Sequence, residues 1–387
     1  MRGVSNKARL TTATLAVPLL SVLLSQAGVA AEWNIETVDP GQGGRGSVLV
    51  LDKTGNAHVA YVNPLLNQLK YAFWDHLRNK WFTMIVDKSV DSFASLAVDS
   101  HQRPHIACLD YGTGRLKYAH WDGASWTVRI IPLSSKRLEW YVSIAVDLAD
   151  RPVITFYEIN GTDASAYSLK LRSVAWTGSM WEIRTIDSTP GSGKFNYIVR
   201  NSDGRMSVAY ANVKDENADL RYAFWDGKSW KPEILLRSDD KKYHVGSVAI
   251  ALDKDDNPHI AFSAAATHEV KYATRRSGRW EFENADRLVQ EGYPDRYGIA
   301  IDRDGNPYIS AFDEGADVLK VLHRAAGKWI SEEVDSGSCG FTSSIQLSER
   351  EVIVTYYDLV NNSLKCARRP LEAIEPALGD VAPSRAK

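Results

Sequence analysis

The chain has 387 residues, with 46 basic against 48 acidic side chains and a net charge of −2. That balance excludes a general electrostatic attraction to nucleic acid or to an anionic membrane, so neither is expected as a partner. Three cysteines cannot all pair within one chain, which excludes a disulfide framework as the source of stability.

Residues 1–31 have the pattern of an export leader: basic Arg2, Lys7 and Arg9, an apolar run over 10–24, and small residues at 28–31. Thr11, Thr12, Thr14 and Pro18 interrupt the apolar run, which is shorter than the ~20 residues a membrane span needs. The expectation is a signal peptide over 1–31, a mature domain over 32–370 without a membrane span, and a disordered tail over 371–387. The protein is then secreted or periplasmic.

From residue 33 the text repeats. WNIETVD (33–39) is a lone strand led by Trp33. The units that follow each open with an apolar strand ending in Asp, such as SLAVD (95–99), SIAVD (143–147) and GIAID (298–302). After a short polar turn comes a second strand, as in RPHIACLD (103–110), RPVITFYE (151–158), NPHIAFS (257–263) and NPYISAFD (306–313). The third strand is built on LKYA and runs into a fourth that opens on Trp. Examples are LKYAFWDHLRNKW (69–81), LKYAHWDGASW (116–126), LRSVAWTGSMW (171–181), LRYAFWDGKSW (220–230), VKYATRRSGRW (270–280) and LKVLHRAAGKW (319–329). Gly, Asp and Asn fall in the turns and Pro only at the start of second strands, where it costs the ladder little. No helical periodicity of useful length follows residue 32, so each unit is a four-stranded antiparallel sheet.

The tryptophans that open fourth strands, Trp33, Trp81, Trp126, Trp181, Trp230, Trp280 and Trp329, are spaced by 45 to 55 residues, the period of a propeller blade. The last unit has strands over 343–347, 352–358 and 364–367 and stops at Pro370 with no fourth. The lone strand at 33–39 supplies it. The expected fold is all-β: a monomeric seven-bladed β-propeller of four-stranded antiparallel blades, closed by the N-terminal strand completing the last blade, which leaves no open edge.

These units resemble secreted bacterial seven-bladed propellers of the sialidase-like, or BNR-repeat, kind. The resemblance covers residues 32–370 and implies the fold; that group has no uniform activity. The sialidase Asp box, S-x-D-x-G-x-x-W, is half matched, because in WDGASW and WDGKSW the Asp adjoins Gly and the Ser comes later. With no Arg triad either, sialidase activity is not implied.

Within the repeat, His58, His105 and His259 share one position just inside the second strand. They belong to different sectors of a ring and cannot converge on one ion, so each is expected to bond within its own blade. The turns DKDDN (253–257) and DRDGN (302–306) open like a calcium loop but lack its closing Glu, which leaves them simple turns. No metal and no cofactor are expected. If two cysteines pair they are Cys339 and Cys366; otherwise all three are buried thiols.

The recurring Trp and LKYA tyrosines mark packing between blades, so a site must break the symmetry. Loops joining fourth to first and second to third strands gather on one face, where second strands exit at Asp110, Glu158, Asp313 and Asp358. Tyr141, Tyr197 and Arg296 enter from the neighbouring loops, and the longer segments 158–168 and 285–297 lie on the same face. Acids beside aromatics suit a sugar, because rings stack on its apolar faces and carboxylates accept its hydroxyls. The expected function is recognition of a carbohydrate or other extracellular ligand at the mouth of the central channel, through these seven residues. A polysaccharide hydrolase or lyase using the same acids is the alternative, and a protein-interaction platform is the third.

Overall fold

The computed structural model describes residues 32–133, 138–160, 168–214, 217–238, 245–290 and 297–371. The expected leader (1–31), residues 372–387 of the expected tail, and Arg296 lie outside the described residues. No helix among the described residues is long and apolar enough to cross a membrane.

Every strand falls in one of seven four-stranded antiparallel sheets, each built from strands consecutive in sequence except the last. Blades 1 to 6 cover 45–87, 90–130, 138–187, 192–236, 245–287 and 298–336. Blade 7 takes three strands from 339–370 and its outermost strand, Asn34–Asp39, from the other end of the chain, with Asn34 opposite Arg368. The N-terminal strand therefore closes the ring. Its polar residues face out while Val38 and Asp39 are buried.

The second strands, such as Ala57–Asn63 and Pro104–Asp110, are buried on both faces, because each blade is sandwiched between two others. The hydrophobic core accordingly divides into seven clusters, one per blade interface; Val48, Leu69 and Val90, for example, join blade 1 to blade 2. The fourth-strand tryptophans carry these contacts. Trp126 meets Tyr71 of the preceding blade edge-on at 5.2 Å, Trp181 meets Tyr118 at 5.6 Å, and Trp329 meets Tyr272 at 5.4 Å. The Trp and LKYA tyrosines are thus scaffold, as their recurrence predicts.

A second repeated device sits toward the opposite end of each interface. The residue after the third-strand Leu or Val is Lys70, Lys117, Arg172, Arg221, Lys271, Lys320 or Lys365, one cation per blade. In five outer strand pairs the register shifts at that residue, as at Leu69/Lys70 and Leu220/Arg221. These cations reach acids of the neighbouring blade: Lys70 meets Asp39, Lys117 meets Asp87, Arg221 meets Asp187 and Lys365 meets Asp335, the acid coming each time from the end of the preceding fourth strand. Tyr61, Tyr210 and Tyr356 donate to three of the same carboxylates.

The three cysteines are free and buried. Cys339 packs at the interface of blades 6 and 7 and Cys366 at that of blades 7 and 1. Burial pushes both thiols, and Cys108, up to about 12.

Candidate functional site

The recurring histidines do bond inside their own blades. His58 Nε2 lies 3.3 Å from Asp52 and its Nδ1 2.6 Å from the Tyr71 hydroxyl. His105 repeats this with Asp99 (3.4 Å) and Tyr118 (2.7 Å), and His259 with Asp253 (3.4 Å) and Tyr272 (2.5 Å). A carboxylate can only accept, so Nε2 carries the proton and Nδ1 accepts from the tyrosine. Each Asp–His–Tyr relay fills the space at the lower end of an interface, on the face made by the turns joining first to second and third to fourth strands.

Four blades lack the relay: blade 6 fills its place with Tyr308 stacked on His323 at 5.1 Å, blade 7 fills it with the buried Ile353 and Cys366, and blades 3 and 4 hold smaller groups there. Blade 3 has Val153 in place of the histidine and Ser173 in place of the tyrosine; blade 4 has Ser207 in place of the histidine and keeps Tyr222. Clefts open at these two interfaces. Between blades 3 and 4 a cleft of about 390 Å³ is lined by Val153, Ser173, Trp176, Arg184, Trp225 and other residues. Between blades 4 and 5 a cleft of about 320 Å³ is lined by Ser207, Tyr222, Phe224, Trp225, Asp256 and Arg275 among others. Both volumes fall in the range of small-ligand sites. Trp225 forms a wall of each. Where the missing rings would stand, Trp230 Nε1 instead donates to Ser173 Oγ at 3.2 Å, and Ser207 Oγ lies 2.8 Å from the Tyr222 hydroxyl.

The polar groups of the clefts are held in place. Arg184 stacks over Trp225 at 4.5 Å and pairs with Glu182 at 2.6 Å. Arg151 pairs with Asp147 at 2.7 Å at the rim. In the second cleft, Asp256 accepts from Ser202 Oγ at 2.6 Å, and Arg275 is anchored on Glu233 at 3.3 Å. Such anchoring orients donors and acceptors before a ligand arrives, which lowers the ordering cost of binding.

The residues singled out on the opposite face occupy different ground. Asp110, Glu158, Asp313 and Asp358 are between 0 and 9% exposed, with their oxygens engaged inside the protein. Lys117 reaches Asp110 at 2.8 Å and Arg172 reaches Glu158 at 2.9 Å. Asp313 takes Lys320 at 3.0 Å and the N–H of Val289 at 3.0 Å; Asp358 takes Asn361 through its N–H at 2.9 Å and its amide at 2.8 Å. Exit position alone does not say where a side chain points, and here the third-strand cations draw the acids inward. Burial raises the carboxyls of Asp110 and Asp313, but hydrogen bonds from Lys117 and Thr113, and from the Val289 N–H and Lys320, outweigh it and hold both below the usual carboxylate range. A general acid for glycoside cleavage needs the opposite shift.

Tyr141 and Tyr197 are half-buried; the Tyr141 ring packs on Phe195 at 4.7 Å. Tyr197 lines, with Ser47, Tyr297 and Ser343, a cavity of about 10 Å³, room for one water. The signal for the clefts was present in the sequence as the departures Val153, Ser173 and Ser207, which acquire meaning once the histidine is seen to be a plug.

Fold and clefts together define a seven-bladed propeller with two vacated interfaces. No family model matches the chain, and no curated protein sequence matches it. Solved structures do. The lectin of Aleuria aurantia, solved with α-methyl-L-fucoside, superposes with a TM-score of 0.51 at 15% identity, over 78% of this chain and 98% of that one. Polysaccharide lyase Uly1 gives 0.52 at 12% identity over 85% and 90%, and a Hadza microbial sialidase gives 0.52 at 12% identity over 78% and 73%. At these identities the likeness is one of fold.

Proposed function

We propose that this protein is an exported carbohydrate-binding propeller that takes saccharide units in the clefts flanking blade 4. The observation that carries the proposal is the loss of the plug at Val153, Ser173 and Ser207, which leaves aromatic walls beside fixed arginines and acids where the five sister positions are filled by His58, His105, His259, Tyr308 and Ile353. Trp176, Trp225 and Phe224 offer apolar faces for sugar rings, and Asp256, Asn201 and the anchored arginines offer partners for hydroxyls. Propellers named as a lectin, a sialidase and a polysaccharide lyase among the structures of like fold fit this assignment. The basic, apolar and small-residue succession in 1–31 supports export.

A glycan array followed by calorimetry on positive glycans tests it. Ser207→His and Val153→His each restore a plug with the residue used by sister blades, and each is expected to abolish binding at its own cleft; Trp225→Ala is expected to weaken both. Asn substitutions at Asp110 and Asp313 are expected to lower stability and leave affinity unchanged. A wild-type chain that binds no glycan, or binding indifferent to both plugs, removes the proposal. Affinity lost on changing the buried acids alone returns the site to the opposite face.

A further inference from the structure

The interface between blades 2 and 3 carries a different departure. At the third-strand position ahead of the first Trp, blade 2 has His120 where blades 1, 3, 4, 5 and 7 have Phe73, Ala175, Phe224, Thr274 and Arg368; blade 6 has His323 there, but it faces Tyr308 in place of a histidine and its Nε2 lies 2.8 Å from Glu332. His120 thus joins the Asp99–His105–Tyr118 relay, with its ring 4.6 Å from that of His105. One nitrogen of His105, one of His120 and one carboxylate oxygen of Asp99 all lie within 4.8 Å of one another. Asp99 and His105 are buried and His120 half-buried, and among the described residues no hydrogen bond engages either ring nitrogen of His120.

We propose that Asp99, His105 and His120 form a binding site for a divalent transition-metal ion of the zinc type. Two imidazoles and one carboxylate suit zinc, nickel or copper; calcium and magnesium prefer oxygens alone. Donors of a tetrahedral ion with bonds of about 2.0–2.1 Å stand roughly 3.3 Å apart. His105 Nε2 and Asp99 Oδ2 are at 3.4 Å, close to that span, so an ion can replace the hydrogen bond between them. Rotation about the His120 side-chain bonds brings in the third donor. Coordination through Nε2 moves the His105 proton to Nδ1, where Tyr118, 2.7 Å away, turns to accept it, giving the outer support that ligating histidines use.

Two further groups frame the site. His101 and Asp150, the latter from blade 3, form with Asp99 a second close set at the surface, with His101 Nδ1 3.0 Å from Asp150 Oδ2. Arg103 donates from Nε to Asp99 Oδ2 at 2.8 Å and so competes with a cation for the same oxygen. In the next interface the equivalents of His105, Tyr118 and His120 are Val153, Ser173 and Ala175, which line the wider cleft. One position in the repeat is therefore emptied for a ligand in one interface and furnished with imidazoles in its neighbour. The sequence argument against a metal asked whether histidines of different blades converge, and the pair that does converge lies in a single blade.

The test is zinc titration of the intact, chelator-treated protein by calorimetry, with Co²⁺ absorption as a second readout of nitrogen ligation. One equivalent per chain is expected. His120→Phe, which installs the residue of blade 1 and is expected to keep the thermal melting point, should weaken zinc at least ~100-fold and abolish the cobalt spectrum; Tyr118→Phe should cost roughly 10–100-fold. Arg103→Gln should tighten binding, and His101→Ala should leave it within a few-fold. Zinc affinity equal in wild type and His120→Phe overturns the proposal, as does affinity that depends on His101 and not on His120. If His105→Ala unfolds the chain, the His120 and Arg103 variants still decide the question.

Discussion

The ammonium of Lys70 lies 2.5 Å from the carboxylate of Asp39, both side chains no more than 10% exposed, and this pair ties the first complete blade to the strand that closes the last. Tyr61 donates to the same carboxylate. Breaking a buried pair strands one charge in a low-dielectric interior, at a cost of about 3–5 kcal/mol. Asp39→Ala, which orphans both Lys70 and Tyr61, is expected to lower stability by about that amount, and Lys70→Met by less. Urea unfolding followed by tryptophan fluorescence measures both; equal losses would show that Tyr61 contributes little to the clasp.

The clefts yield a stability prediction of their own. Restoring the relay of blade 2 in blade 3, through the double change Val153→His with Ser173→Tyr, fills space that now lacks protein atoms and adds an imidazole to the partners of Asp147. Cavity filling of this kind commonly adds about 0.5–2 kcal/mol. A higher melting temperature is the expected result. A lower one would mean that the backbone at this interface has moved too far to accept the relay of its neighbour.

Burial of His259 makes the fold sensitive to mild acid. Burial lowers the pKa of His259 more than its bond to Asp253 raises it, so the native ring stays neutral where the unfolded one, with an ordinary value near ~6.5, takes a proton. Above that value His259 does not contribute to the pH dependence. As the pH falls through it the unfolded state binds the extra proton, and stability declines by up to ~1.4 kcal/mol per pH unit until the native ring protonates at its own lower pKa. His259→Val, with the residue of blade 3, should flatten this part of the profile. Urea midpoints at pH 7.5 and 5.0 for both chains give the comparison.

Thiol chemistry separates the cysteines from a disulfide. Cys108 and Cys366 are fully buried and Cys339 nearly so, and burial holds all three as unreactive thiols. Native protein should react slowly with a disulfide reagent, and denatured, unreduced protein should release three equivalents. One equivalent would establish a bond between two of them.

How much of this was legible in the text depends on what each residue's neighbours could reveal. The blade count and the closure followed from Trp33 to Trp329, because a residue that recurs at one period must do the same work in each unit. The inward turn of the acids and the two clefts did not follow, for two physical reasons. Asp110, Glu158, Asp313 and Asp358 stand at strand exits, and their inward turn depends on cations such as Lys117 and Lys320, whose recurrence through all blades was itself a signal. Val153 and Ser207 are ordinary strand residues, and they define a cavity only against the ring that fills it elsewhere. His120 is similar: a lone histidine in its strand, given company by His105 across the ladder.

The pairing of Asn34 with Arg368 also bears on how the molecule forms. The first strand of the domain to be synthesised has its partner in the last, so blade 7 stays incomplete until the chain is finished, and closure must gather the longest loop in the molecule. Contacts of such separation are slow to form. A ring assembled in this way stays open until its last strands are made and shuts in one late event.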